Sequence, residues 1–156
     1  ERRGLAVRQQ GGRGSCQVFA FVAPIEFQLA QPGRPADLSE QFLMWAANDT
    51  CDIDRIEGHN PDHLIRGLQD HGICVEPLMQ YIPRKEPLGE PNPIAIKDAA
   101  DRTNFELVSI KHWRSEIGFD PEQMQALMRT LDVERLPVTV TLGCNSVLRV
   151  HRGDLG

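Results

Sequence analysis

Cys16 is the residue of this chain best placed to do chemistry. It ends the run Gln10-Gly11-Gly12-Arg13-Gly14-Ser15-Cys16 and is followed by Gln17-Val18-Phe19. Glycines at 11, 12 and 14 are incompatible with a regular helix or strand. They predict a tight loop whose backbone can take positive φ and come close to another group. An apolar run follows at once. Val18, Phe21, Val22, Ile25 and Leu29 fall at helical spacing, and Phe19 and Phe27 add a second apolar face. A helix apolar on most sides is expected to be buried. The thiol thus stands where a glycine-rich loop passes into a helix, and the free N–H groups and dipole of a helix N-terminus favour a thiolate. A lone cysteine in apolar surroundings is equally the pattern of a packed, inert thiol; the residues alone leave both readings open. Cys51, His59, His63, His71 and Cys74 are of metal-ligating types, with His59 and His63 one helical turn apart. No Cys-x-x-Cys pair accompanies them, so they read as surface and loop residues and no metal is expected.

The Gln10 to Phe19 segment resembles the nucleophile segment of the papain-like cysteine peptidases, whose pattern is Gln-Gly-x-Cys-Gly-Ser-Cys-Trp-Ala-Phe. The resemblance continues through Ile25-Glu26, Leu38-Ser39-Glu40-Gln41, Gly58 and Pro61, and His71-Gly72-Ile73. It returns at Pro137-Val138-Thr139-Val140 and at Arg152-Gly153. It spans nearly the whole chain and is weakest between about positions 84 and 134.

By this resemblance Cys16 is the nucleophile, attacking the carbonyl carbon of a peptide or protein substrate. Gln10 is the oxyanion donor, its side-chain amide acting with the Cys16 backbone N–H. Gly14 and Ser15 let substrate approach closely. Gly58 matches one of two adjacent family glycines that pair with extended substrate, and its neighbour His59 puts a side chain on the cleft wall. Pro61 and Thr141 fall near positions that shape the main specificity pocket. No cofactor is implied.

Two positions depart from the pattern. Gln17 replaces the aromatic residue after the nucleophile. The base is also missing, since the family's His and Asn lie about 130–150 residues after the nucleophile. His151, about 135 residues on, sits in the context Arg149-Val150-His151-Arg152-Gly153, which resembles the strand and Arg-Gly segment ahead of the catalytic His. The chain therefore reads as the front portion of a peptidase domain, partnered by the remainder of that domain and not expected to turn over substrate by itself. Two other readings stand beside this one. A non-catalytic papain-like module that binds peptides or a partner is favoured by Gln17, His59 and Pro24. An acyl-transfer enzyme other than a peptidase is compatible with the nucleophile segment alone.

Composition narrows the classes. With 156 residues, 40% hydrophobic and 25% charged, the chain suits one globular domain. A net charge of -5, with arginine far outnumbering lysine and no basic run, argues against nucleic-acid binding. No apolar stretch is long enough to span a bilayer, so no membrane partner is expected. Cysteines stand at 16, 51, 74 and 144. Many papain-like enzymes pair a cysteine three residues before the nucleophile, where this chain has Arg13, and another after the Leu-Ser-Glu-Gln segment, where it has Ala46. Neither bridge can form, which leans toward a reducing, cytoplasmic compartment or a disulfide-free branch. A Cys51–Cys74 bridge stays open.

Local signals place the elements. A first helix is expected over about 15–30, with a kink at Pro24. Asp37-Leu38-Ser39-Glu40 offers a capped start to a second helix with Phe42, Leu43, Trp45 and Ala46 inward, followed by a polar loop over 48–58. Asn60 and Pro61 start a third helix, lined by Leu64, Ile65 and Leu68 and ended by Gly72. Residues 77–93 read as ordered loop. Asp120-Pro121 starts a fourth helix with Met124, Leu127, Met128 and Leu131 inside. Segments 105–110, 138–142 and 147–151 read as strands. Helices first and strands last make an α+β chain. The resemblance refines this to a papain-like fold, with a helical half over about 1–104 and the start of a β-rich half over about 105–156.

Overall fold

The computed structural model describes residues 8–31, 36–103 and 119–139. Its elements in chain order are helices α1 (Cys16–Leu29), α2 (Glu40–Cys51) and α3 (Pro61–His71), a 3-10 turn at Glu76–Leu78, α4 (Pro93–Ala100) and α5 (Pro121–Asp132).

The capping signals work as the sequence leads one to expect. The Ser39 hydroxyl accepts from Phe42 N at the start of α2. Asn60 accepts from His63 N ahead of Pro61 in α3. Asp120 and Gln123 close a capping box on α5. The α2 helix runs through Asn48 to Cys51, residues expected in the loop, and ends at Asp52 in the left-handed region with φ 50. The expected loop over 77–93 leads into α4, whose Asn92 side chain caps Ile94 and Ala95 N–H groups with Pro93 in the first turn.

One core joins α1, α2 and α3 through Val18, Val22, Ile25, Leu43, Met44, Leu64, Leu68 and Ile73. A second cluster sets Phe42 and Ala46 of α2 against Cys74 and the small face of α4 at Ala95 and Ala99. Gly67 lets α3 cross α2 closely, since a Cβ there would lie 2.5 Å from the Ala47 nitrogen.

Three expectations are corrected. First, the α+β class does not hold. Among the described residues there is no strand, the elements are helices with their connections, and Leu38 and Val75 meet only as an isolated bridge. Val138 and Thr139 are described and are not in a strand. The expected strands at 105–110 and 147–151, and the rest of 138–142, lie outside the described residues. Alternation along a short segment shows which faces could be buried, but a strand also needs a paired neighbour. Second, α1 is not buried on most sides: Val18, Val22 and Ile25 are buried, Ala20, Ala23 and Leu29 are exposed, and Phe19, Phe21 and Phe27 are half-buried. Third, Met124, Met128 and Leu131 of α5 are exposed, and no residue of α5 is buried. The Cys51–Cys74 bridge that the sequence left open is not made: Cys16, Cys51 and Cys74 are free thiols.

Pro24 lies inside α1. Having no N–H, it leaves the Ala20 carbonyl one turn back without its helical donor. The Thr139 hydroxyl supplies the missing bond to Ala20 O at 2.6 Å. Beside that bond is an open apolar hollow of about 450 Å³ between α1 (Ala23, Pro24, Phe27) and Pro137-Val138.

Candidate active site

Cys16 is the first residue of α1 and its side chain is exposed. The loop before it is held from three sides. Gly11 takes φ 68 and lies against Pro83, where a Cβ would come within 2.8 Å of the Pro83 Cβ; glycine is required there on both counts. Gly14 is fixed through its backbone: its N–H donates to Glu57 Oε2 at 2.9 Å and its carbonyl accepts from Gly58 N at 2.9 Å. Gly58 has φ 72, and its own carbonyl accepts from the Arg55 guanidinium at 3.1 Å. The structure thus brings Gly14 and Gly58, far apart in sequence, side by side next to Cys16. Glu57 also pairs with Lys85 at 2.8 Å, and the Lys85 hydrogen bond, then the Gly14 N–H, hold its carboxyl below the usual carboxylate range.

The Gln10 side-chain amide donates to the Arg13 carbonyl at 3.1 Å, and the same oxygen accepts from Ser15 N at 2.8 Å. Gln10 is thereby folded back over the loop that ends in Cys16. Ser15 is fully buried. It occupies the cap position of α1, yet its hydroxyl makes no cap bond; it lies 2.5 Å from the Tyr81 hydroxyl instead. Tyr81 in turn donates to the Gln10 carbonyl at 2.8 Å, and its ring meets Phe19 edge-on at 4.8 Å.

Arg13 is 0% exposed. Its guanidinium donates to Ile56 O at 2.5 Å, Ile82 O at 2.9 Å, Glu86 O at 3.3 Å and Gln41 Oε1 at 3.0 Å. Gln41 of α2 also donates to Leu88 O at 2.8 Å. One side chain therefore ties the Cys16 loop, the loop before α3, the segment after the 3-10 turn and α2. Burial pulls the Arg13 pKa below its ordinary value, with the charges of Tyr81, Glu57 and Glu86 opposing the shift.

His59 is buried, with Nε2 2.9 Å from Asn48 Oδ1, and burial, then the neighbouring cations Arg55, His63 and Arg13, push its pKa down to about 4. His63 lies against Asn60 and His71 against Asp49, so each described histidine has a partner in or beside α2 or α3. Pro61 opens α3 and is half-buried. Thr141 lies outside the described residues. Among the described residues no three His, Cys, Asp or Glu side chains gather as a metal site, and no helix is long and apolar enough to cross a membrane.

Arg13 and Tyr81 had not been singled out as partners of the loop. Apart from the Gln41 side chain, their acceptors are main-chain atoms remote in sequence, and neither periodicity nor residue type announces them. What the sequence does offer is an arginine inside a glycine loop, where it must either reach water or find several acceptors.

No family model matches the chain. Peptidase 1 of Dermatophagoides pteronyssinus is 33% identical over 90 residues, which is 55% of this chain and 26% of that protein. Peptidase 1 of Dermatophagoides farinae is 34% identical over 90 residues, with the same coverage. The chain spans about a quarter of the length of these curated relatives, and its similarity is a distant one to proteins named as peptidases.

Proposed function

We propose that the protein is a papain-like, cysteine-type peptidase in which this chain carries the nucleophile and the oxyanion donor. The observation that supports this best is the exposed Cys16 thiol at the first residue of α1, with the Gln10 amide tied to the loop that ends there. In this reading the Cys16 thiolate attacks the carbonyl carbon of a substrate peptide bond. The developing oxyanion lies between the Gln10 side-chain amide and the Cys16 N–H, which has no helical acceptor at a helix start. The C–N bond breaks as the amine leaves with a proton, and water then hydrolyses the thioester. Gly14 and Gly58, bonded to each other and to Glu57 and Arg55, offer substrate a close approach near the nucleophile in this reading, and His59 and Pro61 follow them in the chain. Among the described residues no histidine is hydrogen-bonded to Cys16, so in this reading the base that deprotonates Cys16 and protonates the leaving amine is assigned to residues beyond those described.

The test is hydrolysis of fluorogenic peptides by the full-length protein and by Cys16→Ala. Turnover that disappears with Cys16→Ala and with iodoacetamide supports the reading. Peptide binding without hydrolysis by both proteins points to a binding module and overturns it.

A further inference from the structure

The Cys16 loop makes few of the ties that hold it within its own sequence. Gln10 O, Ser15 Oγ and the Arg13 guanidinium all reach the segment 81–86, and Arg13 also reaches Ile56 and Gln41. Resting on the peptidase reading above, we propose that Arg13 and Tyr81 are positioning residues that hold Gln10 and Ser15 in register with the Cys16 thiol, so that the geometry of the reacting groups is set from the 81–86 segment.

The division of labour follows from the bonds. Tyr81 grips the two ends of the loop at once: its hydroxyl donates to the Gln10 carbonyl and meets the Ser15 hydroxyl one residue before Cys16. A phenol has one proton to give, so with Gln10 O as its acceptor the Ser15 hydroxyl must be the donor in the second bond. Ser15 makes no cap bond to α1, a helix-start interaction ordinarily worth about 1 kcal/mol. Arg13 grips the middle. A planar guanidinium with five N–H donors can serve three carbonyls and an amide oxygen together; a lysine ammonium in its place has three donors at one point and cannot span them. Its own carbonyl is the acceptor for both Gln10 Nε2 and Ser15 N. Fixing the Arg13 side chain therefore fixes the oxygen on which Gln10 and Ser15 converge. Neither residue is assigned contact with substrate. They act through Gln10, whose effect is exerted on the oxyanion in the transition state, so their loss should lower kcat and leave KM nearly unchanged.

The experiment compares the full-length protein with Tyr81→Phe and Arg13→Lys by thermal unfolding, by hydrogen exchange of the peptide covering residues 10–16, and by kcat and KM on a fluorogenic peptide. Tyr81→Phe keeps the ring against Phe19 and removes only the hydroxyl. It is expected to unfold within a few degrees of the parent, to exchange the 10–16 amides faster, and to lose between about ten- and a hundredfold in kcat with KM within about twofold. Arg13→Lys should lose at least as much; if it fails to fold, Tyr81→Phe decides alone. A Tyr81→Phe protein with parental kcat, or with parental loop exchange, overturns the proposal. If parent and Cys16→Ala hydrolyse peptide equally, the peptidase reading falls instead. Loop exchange in Tyr81→Phe then still decides the tie, faster exchange upholding it and parental exchange overturning it.

Discussion

At the scale of single residues, the Gln10 amide is the sharpest point of the proposed chemistry. Among the described residues it is anchored by one hydrogen bond, to Arg13 O, which leaves a second N–H to donate to a ligand oxygen. Gln10→Ala should lower turnover of the full-length protein by roughly ten- to a thousandfold, the usual cost of one oxyanion donor. Because the donor is a side chain, the thermal midpoint should stay near the parent's; an unchanged kcat would remove Gln10 from the mechanism. Which residues were legible follows from how locally each is determined. The glycine loop and Cys16 announce themselves by type and spacing. Gln10, Ser15 and Gly58 became candidates through resemblance, and the structure shows Gly58 beside Gly14. Arg13 and Tyr81 were invisible as a pair because most of their partners are main-chain carbonyls, at 10, 56, 82 and 86, and a main-chain carbonyl has no sequence identity.

Among the elements, α3 was the most legible because Asn60, Pro61 and Gly72 are all local signals. The same Asn-Pro signal stands at 92–93, at the end of the segment read as loop, and no helix was expected after it. For α5 the periodicity marked Met124, Met128 and Leu131 as one face; amphipathicity shows which face could be covered and not that anything covers it. Val138 and Thr139, expected to begin a strand, are not in one for a related reason, since pairing is not a property of one segment; the other expected strands lie outside the described residues. The packing of α2 on α3 makes a direct prediction. A methyl group at position 67 would press on the Ala46-Ala47 backbone, which cannot swing aside as a side chain would. Gly67→Ala, favourable for an isolated helix by about 1 kcal/mol, should therefore destabilise the protein by a few kcal/mol, in the range typical of overpacked cores. Urea unfolding measures it, and a stabilised variant would mean the two helices can slide apart at no cost.

Over the whole molecule, two buried groups give pH dependences of opposite sign. Burial raises the Glu40 pKa to about 7, although the Arg8 guanidinium lies 3.1 Å away; Glu26 and Glu76 crowd the same cation and add to the rise, and Asp37 also pairs with Arg8. The folded protein thus binds a proton that the unfolded chain has released above its ordinary 4.5, and the stability Glu40 contributes is full below 4.5 and lost as pH rises to about 7. His59 does the reverse. Its folded pKa of about 4 lies below the ordinary 6.5, so its contribution is full above 6.5 and lost as pH falls toward 4. Between 4.5 and 6.5 the two slopes oppose each other. Relative to the parent, Glu40→Gln should gain stability with rising pH across this window and His59→Gln should lose it, measured by urea unfolding at half-unit steps; curves parallel to the parent's would contradict both assignments. One bond described above also has a consequence in time. Ala20 and Thr139 are 119 residues apart in sequence, and during synthesis α1 is made long before its partner. The helix that presents Cys16 leaves the ribosome with its middle carbonyl hydrated, and its last bond closes only after residue 139 has emerged. The nascent chain therefore carries an unfinished α1 while α2, α3 and α4 are already in place to fold.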